Sequence, residues 1–280
     1  MIENHGVILG QRPEDYQAGA FTFVSYEVRN PSGDWRPYLV KREKQYGKED
    51  SLSCVSFSAC SAIEIQEKFI TGKEPNYSDR WIAKMSGTTR EGNYLYKVGD
   101  TIRNLGLVSE EDYPASPNYT FDEFHSEIPE PLLSQLKTKG RKWLEQWDVK
   151  TEFVTATKEE MIKHLKHAPL QIVIPGHAIV NFLCEQDVVD YFDTYPHETQ
   201  DFIGKTPYSN VQSAYKYVLT PKTMETRKFL KINDGGKIYL AVLQGFGGTL
   251  VAAKDMQALS DLESALEIPS DTPTFNYPQP

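Results

Sequence analysis

Only three cysteines, Cys54, Cys60 and Cys184, occur in 280 residues, too few and too scattered for a disulfide framework or a thiolate metal site. Their scarcity makes a reducing cytoplasm the expected place of synthesis. Basic residues are outnumbered by acidic ones, 30 to 39, and the formal charge of −9 excludes the basic footprint of a nucleic-acid binder or of a protein drawn to anionic membranes. No window holds a membrane-spanning length of unbroken apolar residues, and the opening Met1-Ile2-Glu3-Asn4-His5 lacks the basic and apolar regions of a signal peptide. Neither a membrane nor a nucleic acid is therefore expected as partner. What the chain does have is bulk: 39% hydrophobic residues over this length support one large or two modest domains with a real core.

The segment 51–59, Ser-Leu-Ser-Cys-Val-Ser-Phe-Ser-Ala, places Cys54 at the first turn of a buried helix. Glu49, Asp50, Ser51 and Ser53 supply short oxygen-bearing side chains suited to a helix start; Ala59, Ala62, Ile63, Phe69 and Ile70 recur at helical spacing, and Gly72 ends the run. A thiol there faces unpaired N–H groups and the positive end of the helix dipole, which favour thiolate and make Cys54 a candidate nucleophile. Cysteine is also among the most buried residue types, so position alone leaves a packing role open. His177 follows the hinge Pro175-Gly176 at the mouth of a strand, and Asp193 stands sixteen residues on, in a second strand-like run at 188–195. Thiol, base and orienting oxygen in that order suit a catalytic triad.

These segments resemble the papain-like cysteine peptidases. Cys54-Val55-Ser56-Phe57-Ser58 matches the family's Cys-Trp-Ala-Phe-Ser at the cysteine, the phenylalanine and the last serine, and Gly176-His177-Ala178-Ile179-Val180 matches its histidine segment. At the third triad position Phe192-Asp193-Thr194-Tyr195 replaces Lys-Asn-Ser-Trp, so aspartate stands for asparagine and Tyr195 for the shielding tryptophan. The resemblance implies that Gln45, nine positions before Cys54, helps to hold the oxyanion, a gap slightly longer than the family's. It implies that Gly92-Asn93 forms the wall offering backbone groups to an extended substrate, with asparagine in place of a second glycine. Leu105-Gly106-Leu107-Val108 and Asp112-Tyr113-Pro114 resemble a further family turn. No cofactor and no metal are implied.

The implied fold is α+β, a helical half and an antiparallel β half with a cleft between them. Three regions are expected: an extended N-terminal arm at 1–44 that delivers Gln45 to the cleft, a papain-like catalytic domain at 45–220, and an appended β-rich extension at 221–280. In the arm, 21–28 reads as a strand. Helices are expected around 81–85, at 94–105 with Gly106 as cap, and over 132–147 with a break at Gly140. A strand is expected at 149–155, then a helix begun by Thr157 with Glu160 as its capping box, then strands at 170–174, 177–183, 188–194 and 214–219. His164 and His167, three apart on a helix, read as solvated surface residues without a third metal ligand. Cys60 falls on another face of the helix of Cys54, and Cys184 reads as a small residue at a strand end. In the extension, Asp234-Gly235-Gly236 signals a hairpin across 229–240, with a third strand near 250–253, a turn at 245–248, a helix at 254–267 and an extended tail.

The function implied is hydrolysis of a polypeptide or peptide by a Cys54-His177-Asp193 triad through an acyl-enzyme. Two alternatives stay open: a papain-fold binding or structural protein, with the C-terminal extension engaging a protein partner, and a hydrolase of cell-wall peptides. The short Ser-Cys-Val-Ser-Phe-Ser core and the absence of a long charged prosegment look more like bacterial and tailed-bacteriophage members, which would make a virion component conceivable.

Overall fold

The computed structural model describes residues 4–10, 28–195 and 202–222, and beyond them the backbone of four strands between 228 and 276. Contacts divide the chain into two compact units, 1–221 and 222–280. Of the strand expected at 21–28 only Val28 is described, and the helix expected at 254–267 lies outside the described residues.

The first unit is built around α1 (Cys54–Thr71), in which every residue from Cys54 to Gln66 is buried. Gly72 ends it with φ 71°, its N–H bonded to Lys68 O at 2.9 Å, the left-handed stop that glycine provides. The start is made differently from the expectation. Ser53 is the N-cap but gives no side-chain cap, its hydroxyl donating instead to Ser51 O. The Asp50 carboxylate accepts from Leu52 N at 2.8 Å, holding a turn in which Leu52 takes the rare φ of 51°.

Helices α2 (Asp79–Met85) and α3 (Leu95–Leu105) pack against α1, and α4 (Phe121–Phe124), α5 (Glu130–Gln146) and α6 (Lys158–Leu165) follow. The β half is one antiparallel sheet of β1 (Trp147–Val154), β2 (Leu170–Ile174), β3 (His177–Cys184), β4 (Val188–Phe192), β5 (Ile203–Pro207) and β6 (Ser213–Pro221) in the order β1-β6-β2-β3-β4-β5. Central β2 is buried at four consecutive positions, as a strand covered on both faces must be.

Polar side chains fasten helix to sheet. Gln171 of β2, fully buried, donates to Val55 O and Ser58 Oγ, each at 2.7 Å, and accepts from Tyr217 Oη at 3.0 Å. Ser58 in turn donates to Cys54 O at 2.6 Å. The turn carrying the thiol is thus fixed to β2 by bonds that would each leave a buried polar group unsatisfied if broken.

Several expectations are corrected. Helix α5 runs unbroken through Gly140, because an absent side chain lets its backbone lie against the end of α3; a Cβ there would sit 2.0 Å from Leu105 O. Trp147 opens β1 rather than closing the helix. Short α4, with a Thr120–Glu123 capping box, and edge strand β5 escaped the sequence reading. His164 is not solvated: it is 8% exposed and accepts from the buried Lys216 ammonium at 2.8 Å, and burial together with that charge pushes it down to about 4.

The second unit is a four-stranded sheet, β10-β7-β8-β9, of β7 (Lys228–Asp234), β8 (Lys237–Gln244), β9 (Gly247–Ala252) and β10 (Thr274–Asn276). The β7–β8 hairpin pairs Asp234 with Lys237 as its sequence suggests. The tail read as extended supplies β10, parallel to β7.

Helix propensity alone would have Gly140→Ala stabilise α5 by about 1 kcal/mol. The close approach to Leu105 reverses the sign, so a loss of about 1–3 kcal/mol is expected, read as a lower Tm in thermal unfolding.

Candidate active site

Cys54 is the first residue of α1, so its N–H has no partner within the helix. His177 is the first residue of β3, set by the turn at Gly176 with φ 76°. These two ends meet: Ala178 N donates to Cys54 Sγ at 3.4 Å. Asp193 follows the last residue of β4 and is fixed by its N–H on Phe202 O at 2.9 Å. Its Oδ1 lies 2.6 Å from His177 Nε2 and also accepts from Thr194 N at 2.6 Å and Tyr195 N at 3.1 Å. A carboxylate so placed can only accept, so Nε2 donates to it, and in the neutral tautomer that this bond selects Nδ1 is the acceptor. Nδ1 is buried and has no hydrogen-bond partner among the described residues.

Gln45, fully buried, is brought to the same place, its Oε1 accepting from Thr194 Oγ1 at 3.3 Å. Its amide is not idle: Nε2 donates to His5 O at 2.8 Å and to Asp50 Oδ1 at 2.9 Å. Tyr195 lays its ring edgewise on His177, centroids 5.2 Å apart, and donates its hydroxyl to Asp50 Oδ2. Gly92 and Asn93, the wall that the resemblance implies, lie beside residues 6–8. The Asn93 side chain turns away, donating to Ser86 Oγ at 2.8 Å and Thr88 Oγ1 at 3.1 Å, so the residue standing for a second glycine leaves its backbone open to the groove.

That backbone is occupied by the chain itself. Asn93 N donates to Gly6 O at 3.0 Å and Asn93 O accepts from Ile8 N at 2.8 Å, a parallel bridge centred on Val7, while His5 N donates to Gly176 O at 2.8 Å. Residues 5–8 run along the track expected of a peptide ligand, with His5 O on the amide expected to hold an oxyanion. Gly6, at φ 110°, fits because it has no side chain; a Cβ would lie 1.8 Å from Leu52 O. Across from it, a Cβ on Gly92 would lie 2.1 Å from Gly6 C.

Cys54 is fully buried, and burial pushes the thiol far up, with the Asp50 and Asp193 carboxylates adding to the rise and the Ala178 and Val55 N–H groups opposing it. The thiolate expected at a helix terminus is therefore not favoured while the groove is filled. For Asp50, burial works to raise the carboxyl, but hydrogen bonds from His5, Tyr195, Gln45 and Leu52 together hold it below the usual value. His5 and Asp50 were missed in the sequence: Asp50 reads there as a helix-start residue, and nothing local marks a histidine so distant as a neighbour of Tyr195. Cys60 is fully buried and Cys184 half-buried.

Replacing Gly6 by valine leaves residues 5–8 unable to seat against Leu52 and Gly92. Alkylation of Cys54 by iodoacetamide, followed by intact mass and peptide mapping, is expected to quicken at least about tenfold in Gly6→Val, equivalent to ~1.4 kcal/mol of lost segment binding. Cys60 should remain unlabelled in both chains.

No protein-family model matches the sequence, and no curated protein matches it either. Solved structures do resemble it. Xylellain, a cysteine protease from Xylella fastidiosa, aligns with TM-score 0.57 at 14% identity over 78% of this chain and 96% of its own. Digestive procathepsin L 3 of Tenebrio molitor larval midgut aligns with TM-score 0.50 at 14% identity, over 66% of this chain and 68% of its own. The ragweed pollen allergen Amb a 11 cysteine protease, in its proform, is matched over 66% of its length, just under two thirds, at 17% identity and TM-score 0.49. On the first two of these, together with the helices and antiparallel sheet described above, the chain has the α+β fold of the papain-like proteases.

Proposed function

We propose that the protein is a cysteine peptidase that cleaves peptide bonds by acyl transfer. The observation that carries this reading is the His177 ring, held by Asp193 at 2.6 Å through Nε2 and leaving a buried, unpartnered Nδ1 beside the strand residue that touches Cys54 Sγ. With the groove free, Nδ1 takes the Sγ proton, and the resulting thiolate adds to the substrate carbonyl carbon. The oxyanion receives the Cys54 N–H and the Gln45 amide. The C–N bond breaks as His177 returns its proton to the leaving amine, and water, deprotonated by the same nitrogen, hydrolyses the thioester. Asp193 keeps the ring in the required tautomer and stabilises the imidazolium. Gly92 and Asn93 pair with the extended backbone of the substrate.

A second reading, a papain-fold protein that binds but does not cleave, is favoured by one observation: the thiol is fully buried while Gln45 is engaged with His5 O. The two readings separate in one experiment. The Gly6→Val chain is treated with a peptide-like epoxide and assayed on a mixed peptide library, with Cys54→Ala and His177→Ala introduced into the same background. For a peptidase, a single adduct on Cys54 and peptide turnover are expected, both lost in the two variants; Asp193→Ala should lower kcat by about 10²–10⁴-fold and Asp193→Asn less. Turnover that survives Cys54→Ala, or none in any chain, rejects the peptidase reading.

A further inference from the structure

The segment in the groove brings a side chain with it. The His5 ring completes a triangle with Tyr195, at a centroid distance of 4.5 Å, and His177, at 5.2 Å, and its Nδ1 stands 3.2 Å from Asp50 Oδ2. Asp50 is 18% exposed at its side chain, and among the described residues His5 is the one basic side chain that pairs with it. Its other donors, the Gln45 amide, the Leu52 N–H and the Tyr195 hydroxyl, are neutral. A second carboxylate, Asp193, lies in the same electrostatic neighbourhood, since both bear on Cys54. If residues 5–8 leave the groove, a mostly desolvated anion is left to neutral hydrogen bonds and solvent, which costs free energy that a cationic ligand group returns. The Tyr195 ring, tilted at 49° against His5 beside the carboxylate, suits such a group further, because a cation within reach of a tyrosine ring is attracted by it.

We propose that Asp50 and the Tyr195 ring form a side-chain subsite for a cationic group, an imidazolium, ammonium or guanidinium of a peptide lying in the groove, with Asp50 as the specificity-determining residue. The proposal rests on the peptidase reading only for its second assay. His5 is the occupant in this structure, so the selectivity of the subsite is written into how firmly residues 5–8 are held. A peptide entering from solution replaces His5 with a basic side chain of its own. Substrates with an acidic side chain there meet Asp50 and are rejected by like charge.

The first assay uses the full chain and needs no substrate. His5→Arg, His5→Lys, His5→Ala and His5→Glu are compared by the rate at which iodoacetamide alkylates Cys54, with circular dichroism to confirm folding. The expected order is His5→Glu fastest, at least tenfold above the parent, His5→Ala intermediate, and His5→Arg and His5→Lys close to or below the parent. Equal rates across the series, or arginine and glutamate accelerating alike, overturn the proposal. The second assay compares peptides differing by lysine or glutamate at one position, scanned along their length, on Gly6→Val and on the same chain carrying Asp50→Asn. Asparagine can still accept from Leu52 and Gln45 while removing the charge. At one position lysine is expected to be favoured at least tenfold in kcat/KM, mainly through KM, and Asp50→Asn should bring the two peptides to parity. If Asp50 were only a strut, both peptides would fall together, and the proposal fails. Turnover with no charge preference sinks the subsite and keeps the peptidase; no turnover with the labelling order intact keeps the subsite and sinks the peptidase.

Discussion

One carboxylate gathers the parts of the groove that come from far apart in the chain. Asp50 accepts from His5, Gln45, Leu52 and Tyr195, so the segment in the groove, the Gln45 amide, the turn into α1 and the loop beyond β4 all converge on it. Without it, Leu52 would lose the bond that holds its positive φ, and the thiol helix would begin at a different angle. Gln171 does the corresponding work on the far side, fastening the first turn of α1 to the sheet. Between these two anchors Cys54 has little freedom, and a nucleophile gains more from fixed geometry than from any single added contact.

The order of helices and strands was legible because its signals are local. Gly72 ends α1 and Thr157 caps α6 as their chemistry suggests, and 170–174 and 177–184 are strands because β-branched residues surround a Pro-Gly hinge. Gly140 misled because a glycine in a helical run looks alike whether it breaks the helix or admits a neighbour, and the neighbour, Leu105, lies far away in sequence. The pair His164–Lys216 was hidden for the same reason: polar residues at helical spacing look solvated until a strand from elsewhere is laid over them. Cys54, His177 and Asp193 could be named because a motif surrounds each. Asp50 has no motif, and its partners come together only through the tertiary fold.

Two influences on the thiol pull in opposite directions. The start of a helix offers N–H groups to a thiolate, while complete burial beside two carboxylates penalises it, and in the filled groove the penalty is larger. The helix terminus is a fixed feature of the backbone, whereas burial is set by whatever covers the thiol. The state of the Cys54 thiol therefore depends on how deeply it is covered, and not on the helix terminus alone.

The contact of Gly6 with Leu52 and Gly92 has a consequence for how ligands of this protein are weighed. The segment that makes it is covalently joined to the groove it fills, so it competes at an effective concentration on the order of millimolar, however dilute the protein. A free peptide that binds as well as the segment displaces half of it only near that concentration. A ligand titrated against the intact chain would register weaker than its intrinsic strength, by the factor by which the segment reduces the open fraction. Affinity measured on this molecule reports a difference between guest and tether, and the groove itself is a stronger binder than any such number would suggest.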